Sequence, residues 1–166
     1  MRVRMTDIFQ GTFEQRDEAA KQLLRIEDSF DLIRRRFMIG GKQAAFYTVD
    51  GFLKGEVSEK VMEFFYKITE EQMPEDFAGF LQQQIPYLDL MKVADQEMFV
   101  KSVLSGMSCL MVEGYDIILA LDFREYPSRS VDEPDKDKVL RGSRDGFIES
   151  LIPNMALIRR RIRDTD

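Results

Sequence analysis

The chain has no histidine among its 166 residues and only one cysteine, Cys109. Without an imidazole, a Ser-His-Asp triad, a histidine general acid or base and histidine-ligated zinc are all excluded. A lone thiol makes neither an internal disulfide nor a multi-cysteine metal site. The apolar setting of Cys109, residues 107–112, marks it as an inert core residue of a reducing compartment. Long apolar runs are missing too. The longest uncharged stretches, 77–88 and 102–112, fall well short of the span a bilayer requires. Residues 1–9 alternate charged and apolar side chains, so no secretory signal is expected and the chain should start in the cytosol.

What is present suits a folded protein. Hydrophobic residues make up 44% of the chain and charged residues 33%, enough apolar material for a core in one domain or two small lobes. Lys and Arg number 24 against 30 Asp and Glu, a net charge of −6. That balance argues against a general nucleic-acid binder, which needs positive charge to neutralise phosphates. Any basic function must be local.

Patterning then places the elements. Thr12 and Gln15 form a capping-box signature, and Ala19, Ala20, Leu23, Leu24 and Phe30 continue at roughly helical spacing, so a helix is expected over 13–28. Ile33, Phe37 and Ile39 alternate with Arg34 and Arg36 as a half-exposed strand. Gly40 and Gly41 turn it into a second strand over 43–49, which ends at Asp50-Gly51. Ser58 is a fitting N-cap for a helix bearing Val61, Met62, Phe64, Phe65 and Ile68. Pro74 suits the first turn of another helix, carrying Phe77, Phe80 and Leu81. Pro86 stops that helix and marks 85–87 as a boundary between lobes.

The second half uses the same ingredients. Leu88 and Leu90 suggest a short strand, Asp95 caps a helix ended by Ser105-Gly106, and residues 107–112 and 117–123 form a second hairpin. FYTVDGF at 46–52 and CLMVEGY at 109–115 share an apolar strand followed by an acid, a glycine and an aromatic, which suggests distantly related halves. Residues 127–138 read as an exposed connection. From 139 to 163 there are six arginines against two acids, a local charge of +4. Phe147, Leu151, Met155, Ile158 and Ile162 there mark one face of a helix that Pro153 should kink or split.

Few residues suggest chemistry. Gly40, Gly41 and Lys42 lack the spacing of a phosphate loop and read as a hairpin turn. Asp50 and Glu113 invite comparison with the paired carboxylates of a hydrolase, but each suits its own turn better. The run Arg141, Gly142, Ser143, Arg144, Asp145 and Gly146 has two readings: an anion acceptor, or a tight turn with Arg144 and Asp145 paired within the fold. Arg159, Arg160, Arg161 and Arg163 are consistent with a solvated helix face, a nucleic-acid patch or a segment beside a membrane. No catalytic group, cofactor or metal is expected.

Residues 126–164, YPSRSVDEPDKDKVLRGSRDGFIESLIPNMALIRRRIRD, closely resemble the segment preceding the membrane region in the GerA family of spore germination proteins. Its members include the A-type subunits of germinant receptors and a stage V sporulation relative. IGGKQAAFYTVDGF at 39–52 and VLSGMSCLMVEGYDIILALDFREYP at 103–127 resemble that family's two hairpins. The chain departs from the family at Met155, where threonine is usual, and at Pro153. The resemblance implies the N-terminal region of a larger membrane protein, on the core-facing, cytoplasmic side of the spore inner membrane. It implies a role in the response that releases ions and dipicolinate, and no catalysis.

The expected fold is therefore α/β (α+β), in two lobes, 1–87 and 88–166, each with a mixed or antiparallel sheet built on a hairpin. The expected work is assembly and signal transmission. Partners would be the protein's own transmembrane region, other germination membrane proteins, further copies in a homo- or hetero-oligomer, and anionic lipid headgroups. The alternative is a sensor that binds a small molecule or anion between the lobes.

Overall fold

The computed structural model describes residues 7–52, 55–84, 89–122, 124 and 150–162. The chain order is α1 (Phe13–Leu23), β1 (Leu32–Ile39), β2 (Lys42–Val49), α2 (Gly55–Lys67), a 3-10 turn (Glu70–Gln72), α3 (Phe77–Gln84), β3 (Asp89–Val93), α4 (Gln96–Leu104), β4 (Ser108–Val112), β5 (Ile118–Asp122) and α5 (Leu151–Ile162).

The α+β class built on two antiparallel hairpins is what the structure has. The hairpins, however, do not make separate sheets. All five strands join one sheet in the order β1-β2-β4-β5-β3, with every neighbouring pair antiparallel. The link is the β2–β4 ladder, which sets Ala44 opposite Val112 and Tyr47 opposite Cys109. The sheet therefore runs across the expected lobe division, and residues 85–88 at that division lie outside the described ones.

Burial explains the order. Both β2 and β4 are apolar on successive residues, and such strands belong inside a sheet covered on both faces. Ala45, Tyr47, Val49, Cys109, Met111, Ile118 and Ala120 point to one face, where they pack with Phe13 and Ala20 of α1, Phe99 and Val103 of α4 and Ala156 of α5. Ala44, Phe46, Leu110, Val112, Leu119 and Leu121 point to the other, against Val61, Met62 and Phe65 of α2 and Phe80 of α3. Phe37, Phe46, Phe65, Phe80 and Tyr115 form a chain of ring contacts across that second core.

Several local expectations are met. Thr12 and Gln15 exchange both capping-box hydrogen bonds. Gly40 and Gly41 take φ +50 and +77, the left-handed pair that a two-residue hairpin turn requires. Asp95 caps α4 by accepting from the Met98 N–H at 2.7 Å. The matching segments 46–52 and 109–115 make the same turn, with Gly51 at φ +82 and Gly114 at φ +81 and Phe52 and Tyr115 both buried.

Others need correction. The first helix stops at Leu23, not Asp28, because Arg25 adopts φ +53 and its N–H and that of Ile26 bond back to Gln22 and Lys21, closing a Schellman end without glycine. Phe30 is consequently 71% exposed instead of lying on a helix face. Ser58 sits inside the first turn of α2, which begins at Gly55. Pro74 precedes α3 and offers its carbonyl to the Tyr115 hydroxyl at 2.6 Å, while Asp76 accepts from the Gly79 N–H at the start of that helix. Pro153 falls in the first turn of α5 and neither kinks nor splits it, since no helical partner for its missing N–H exists there.

Cys109 is fully buried, and burial pushes its thiol well above the ordinary value. A thiol reagent is expected to leave it unmodified in the native chain and to label it stoichiometrically once denaturant exposes β4. Rapid labelling without denaturant would show that β4 is not interior.

Candidate functional site

The singled-out residues divide between described and undescribed. Arg141, Gly142, Ser143, Arg144, Asp145, Gly146 and Arg163 lie outside the described residues. Arg159, Arg160 and Arg161 lie in the last turn of α5. Asp50 and Glu113 are at opposite ends of β2: Asp50 accepts from the Gly51 N–H at 2.9 Å, and Glu113 from the Gln43 N–H at 3.0 Å. Asp50 shapes its own turn as expected, whereas Glu113 reaches across to the start of β2 and not to its own turn, and the two do not form a catalytic pair. Among the described residues no cluster of cysteine and acidic side chains is fit to hold a metal. At the β2–β4 junction the strands are hydrogen-bonded neighbours, so no cleft separates two lobes there.

The arginine-rich helix is instead attached to the body of the fold. Two features fix it. The first is a close approach over Gly51: a Cβ there would lie 2.8 Å from Ile152 Cγ2 and 3.4 Å from the Ala156 Cβ. Only glycine lets the helix come so near, and the φ of +82 independently favours it. Ala156, the small residue facing this turn, is buried in the core.

The second is an ion pair one helical turn further on. Arg159 Nε donates to Asp31 Oδ2 at 2.8 Å and Nη2 to Asp31 Oδ1 at 2.6 Å, a two-point contact between residues 128 apart in sequence. The side chains are 16% and 4% exposed, so the pair is largely withdrawn from water. Ser29 completes it, donating to Asp31 Oδ1 at 2.6 Å and accepting from Arg159 Nη2 at 3.3 Å. The Asp31 carbonyl accepts from the Asp50 N–H at 2.7 Å, which locks the segment before β1 to the turn after β2. Burial by itself would raise the Asp31 pKa, but hydrogen bonds from Arg159 and Ser29 and the arginine's charge outweigh it and hold the carboxyl below its usual range.

A second charge network, buried at Asp17 and exposed at Glu14, braces the same face. Asp17 accepts from the Tyr47 hydroxyl at 2.5 Å and from Arg34 Nη2 at 2.6 Å, while Arg36 pairs with Glu14. Burial, then the bond to Asp17, holds the Tyr47 phenol protonated. Arg16, itself buried, ties α1 to the Ile8 carbonyl at 2.9 Å and to the Tyr115 carbonyl at 2.7 Å.

Sequence reasoning overlooked Asp31, Ser29 and Gly51 as the seat of α5. Nothing near them points to a partner so far along the chain. The one local hint is an acid placed immediately before a strand that carries three arginines.

Comparison with known proteins bears on this arrangement. Residues 20–166 match the family described as Bacillus/Clostridium GerA spore germination protein. Stage V sporulation protein AF of Bacillus subtilis is 32% identical over 149 residues, covering 89% of this chain and 30% of that protein. An uncharacterized membrane protein of Bacillus subtilis, YfkQ, is 28% identical over 142 residues, covering 84% of this chain and 28% of that protein. The chain thus spans less than a third of the length of these relatives. Among solved structures, the N-terminal domain of the A subunit of the Bacillus megaterium spore germinant receptor GerK3 shares the fold, with TM-score 0.68, 18% identity and coverage of 95% of this chain and 57% of that one.

Removing one member of a buried ion pair costs about 3 kcal/mol because the other charge is left unpaired. Arg159→Ala is expected to speed amide hydrogen exchange along α5 while β2 and β4 stay protected. Equal exchange in both proteins would mean the pair does not hold the helix. The Asp31 pKa is depressed in the folded state, so its contribution is complete above the ordinary carboxylate range and is lost as pH falls through the lower folded value. An acid titration of α5 protection should show that loss in the parent chain and none in Asp31→Asn.

Proposed function

The chain belongs to the GerA spore germination family, and from that premise we propose that it is the N-terminal domain of a membrane-borne germination protein, acting in assembly and signal transmission without catalysis. The observation that carries this reading is the attachment of α5 through Arg159 and Asp31. A rigid two-point contact makes the basic helix move with the sheet, so a displacement at either end reaches the other. A link through an unstructured tether would dissipate it.

The remaining arginines take complementary parts. Arg160, Arg161 and Arg163 face anionic headgroups on the core side of the spore inner membrane. Arg141 and Arg144, with Gly142, Ser143, Asp145 and Gly146, contact a neighbouring subunit or the body of the domain. The signal passed on is the one that leads to release of ions and dipicolinate. What supports the membrane setting is the coverage of the relatives, one of them a membrane protein by name, which extend well beyond this chain. Among the described residues no helix is long and apolar enough to cross a bilayer.

The test is made in spores carrying the full-length protein. Asp31→Ala and Arg159→Ala are each expected to slow dipicolinate release at least several-fold at unchanged protein level, and the charge swap Asp31→Arg with Arg159→Asp to recover part of it. Normal release in both single variants would reject the coupling role.

A further inference from the structure

The sheet is open along β1, an edge strand of 8 residues. The Asp50 N–H donates to the Asp31 carbonyl at 2.7 Å, and antiparallel pairing alternates from there. Ile33, Arg35 and Phe37 therefore turn their backbone groups to β2, while Arg34, Arg36 and Met38 turn theirs away from the sheet. Those outward N–H and C=O groups have no strand partner among the described residues. The side chains alternate as well. Phe37 lies in the core beneath α2, so Ile33 and Arg35 share its face. Ile33 is 38% exposed there, and Tyr66 of α2, 57% exposed, sets its ring edge-on to Phe37 with centroids 6.1 Å apart.

The three arginines of this edge are not equivalent. Arg34 and Arg36 are engaged on the α1 face by Asp17 and Glu14, and Arg36 also donates to Gln43 Oε1 at 2.5 Å. Arg35 is exposed in mid-strand, and among the described residues its guanidinium has no ion-pair or hydrogen-bond partner. Of the acids on α2, Glu63 is held by Lys67, and neither it nor Glu59 pairs with Arg35. One unpaired cation thus stands between Ile33 and the contact of Phe37 with Tyr66. For a strand added antiparallel to β1, Arg35 occupies a position of the kind where opposed side chains come closest. A second copy joining this edge across a two-fold axis would set arginine against arginine near its centre, and like charges opposed across strands are unfavourable. The complement is a strand that carries an acid with an apolar residue two positions to either side. We propose that β1 is a docking edge for an extended segment of a partner protein, which pairs antiparallel with it and presents an acid to Arg35 between apolar residues that meet Ile33 and Tyr66. The arginines that repel an indiscriminate sheet then select this one. The inference goes beyond the coupling role and does not depend on α5.

Amide hydrogen exchange of the purified chain, read by NMR, tests it with two capped peptides, Thr-Val-Thr-Glu-Thr-Val-Thr and its counterpart with lysine in place of glutamate. At millimolar concentration the glutamate peptide is expected to slow exchange at the Arg34, Arg36 and Met38 N–H groups, which an added strand covers. No gain is expected at Ile33, Arg35 and Phe37, whose N–H groups already face β2. The lysine peptide is expected to bind about tenfold more weakly, and Arg35→Glu to invert the preference. Circular dichroism melting checks that this variant remains folded, as an exposed side chain without a partner predicts. Absence of protection by the glutamate peptide overturns the proposal, as does protection that Arg35→Glu leaves unchanged. Protection at Leu90 and Lys92 instead assigns the peptide to the β3 edge and overturns it. Protection of Arg34, Arg36 and Met38 that needs no peptide and grows with protein concentration assigns the edge to a second copy and overturns it as well. None of these outcomes bears on the seat of α5, which the Asp31 and Arg159 variants test separately.

Discussion

Antiparallel pairing of β2 with β4 is the constraint from which the rest of the architecture follows. Each strand is buried on both faces, so neither can lie at a sheet edge, and each needs the other to satisfy the backbone groups its own hairpin leaves open. Once they pair, β1 and β3 become the edges and alternate side chains supply two cores. The helices divide accordingly, with α1, α4 and α5 on one face and α2 and α3 on the other. Edge strand β1 carries three consecutive arginines, of which Arg34 and Arg36 turn to the α1 face to meet Asp17 and Glu14. Charge of this kind on an edge also discourages pairing with other sheets.

Buried charge marks the places where distant segments are tied together. Arg16 holds the start of the described chain and the β4–β5 turn to α1, Asp17 holds α1 to the first hairpin, and Asp31 holds α5. Hydrophobic contacts would supply comparable stability, but they tolerate sliding. A two-point arginine-carboxylate contact has one geometry, so the last helix is seated at a fixed angle and register. The small residues at Gly51 and Ala156 permit that seat by letting helix and turn approach closely. The consequence is a helix that presents its most apolar stripe outward, which is informative in a chain whose relatives continue far beyond it.

Elements announced by short-range chemistry were legible in the sequence. The Thr12 capping box, the Gly40-Gly41 turn, the Asp95 cap and the apolar runs of β2, β4 and β5 each depend on residues within a few positions of one another. The errors arise where a residue type has two uses. Arg25 closes α1 in a left-handed conformation usually left to glycine, so the periodicity ran on to Phe30. Pro153 breaks a helix interior but suits a first turn, and the outcome depended on where α5 begins. Of the expected stripe, Leu151, Met155, Ile158 and Ile162 lie on α5 while Phe147 falls outside the described residues, and periodicity says which residues share a face and not which way that face points.

Composition and local pattern by themselves determined the class of the protein: no histidine chemistry, one buried thiol, two hairpins, a basic final helix and a resemblance to the GerA family that the match over residues 20–166 bears out. Only the tertiary structure decided that the hairpins share one sheet, that Arg159 is held by Asp31, and that Leu151, Ile158 and Ile162 face outward. The reason is the range of the interactions. Caps and turns are settled within one or two turns of chain, whereas a strand pairing or an ion pair across 128 residues exists only once the intervening elements have packed and brought its members together.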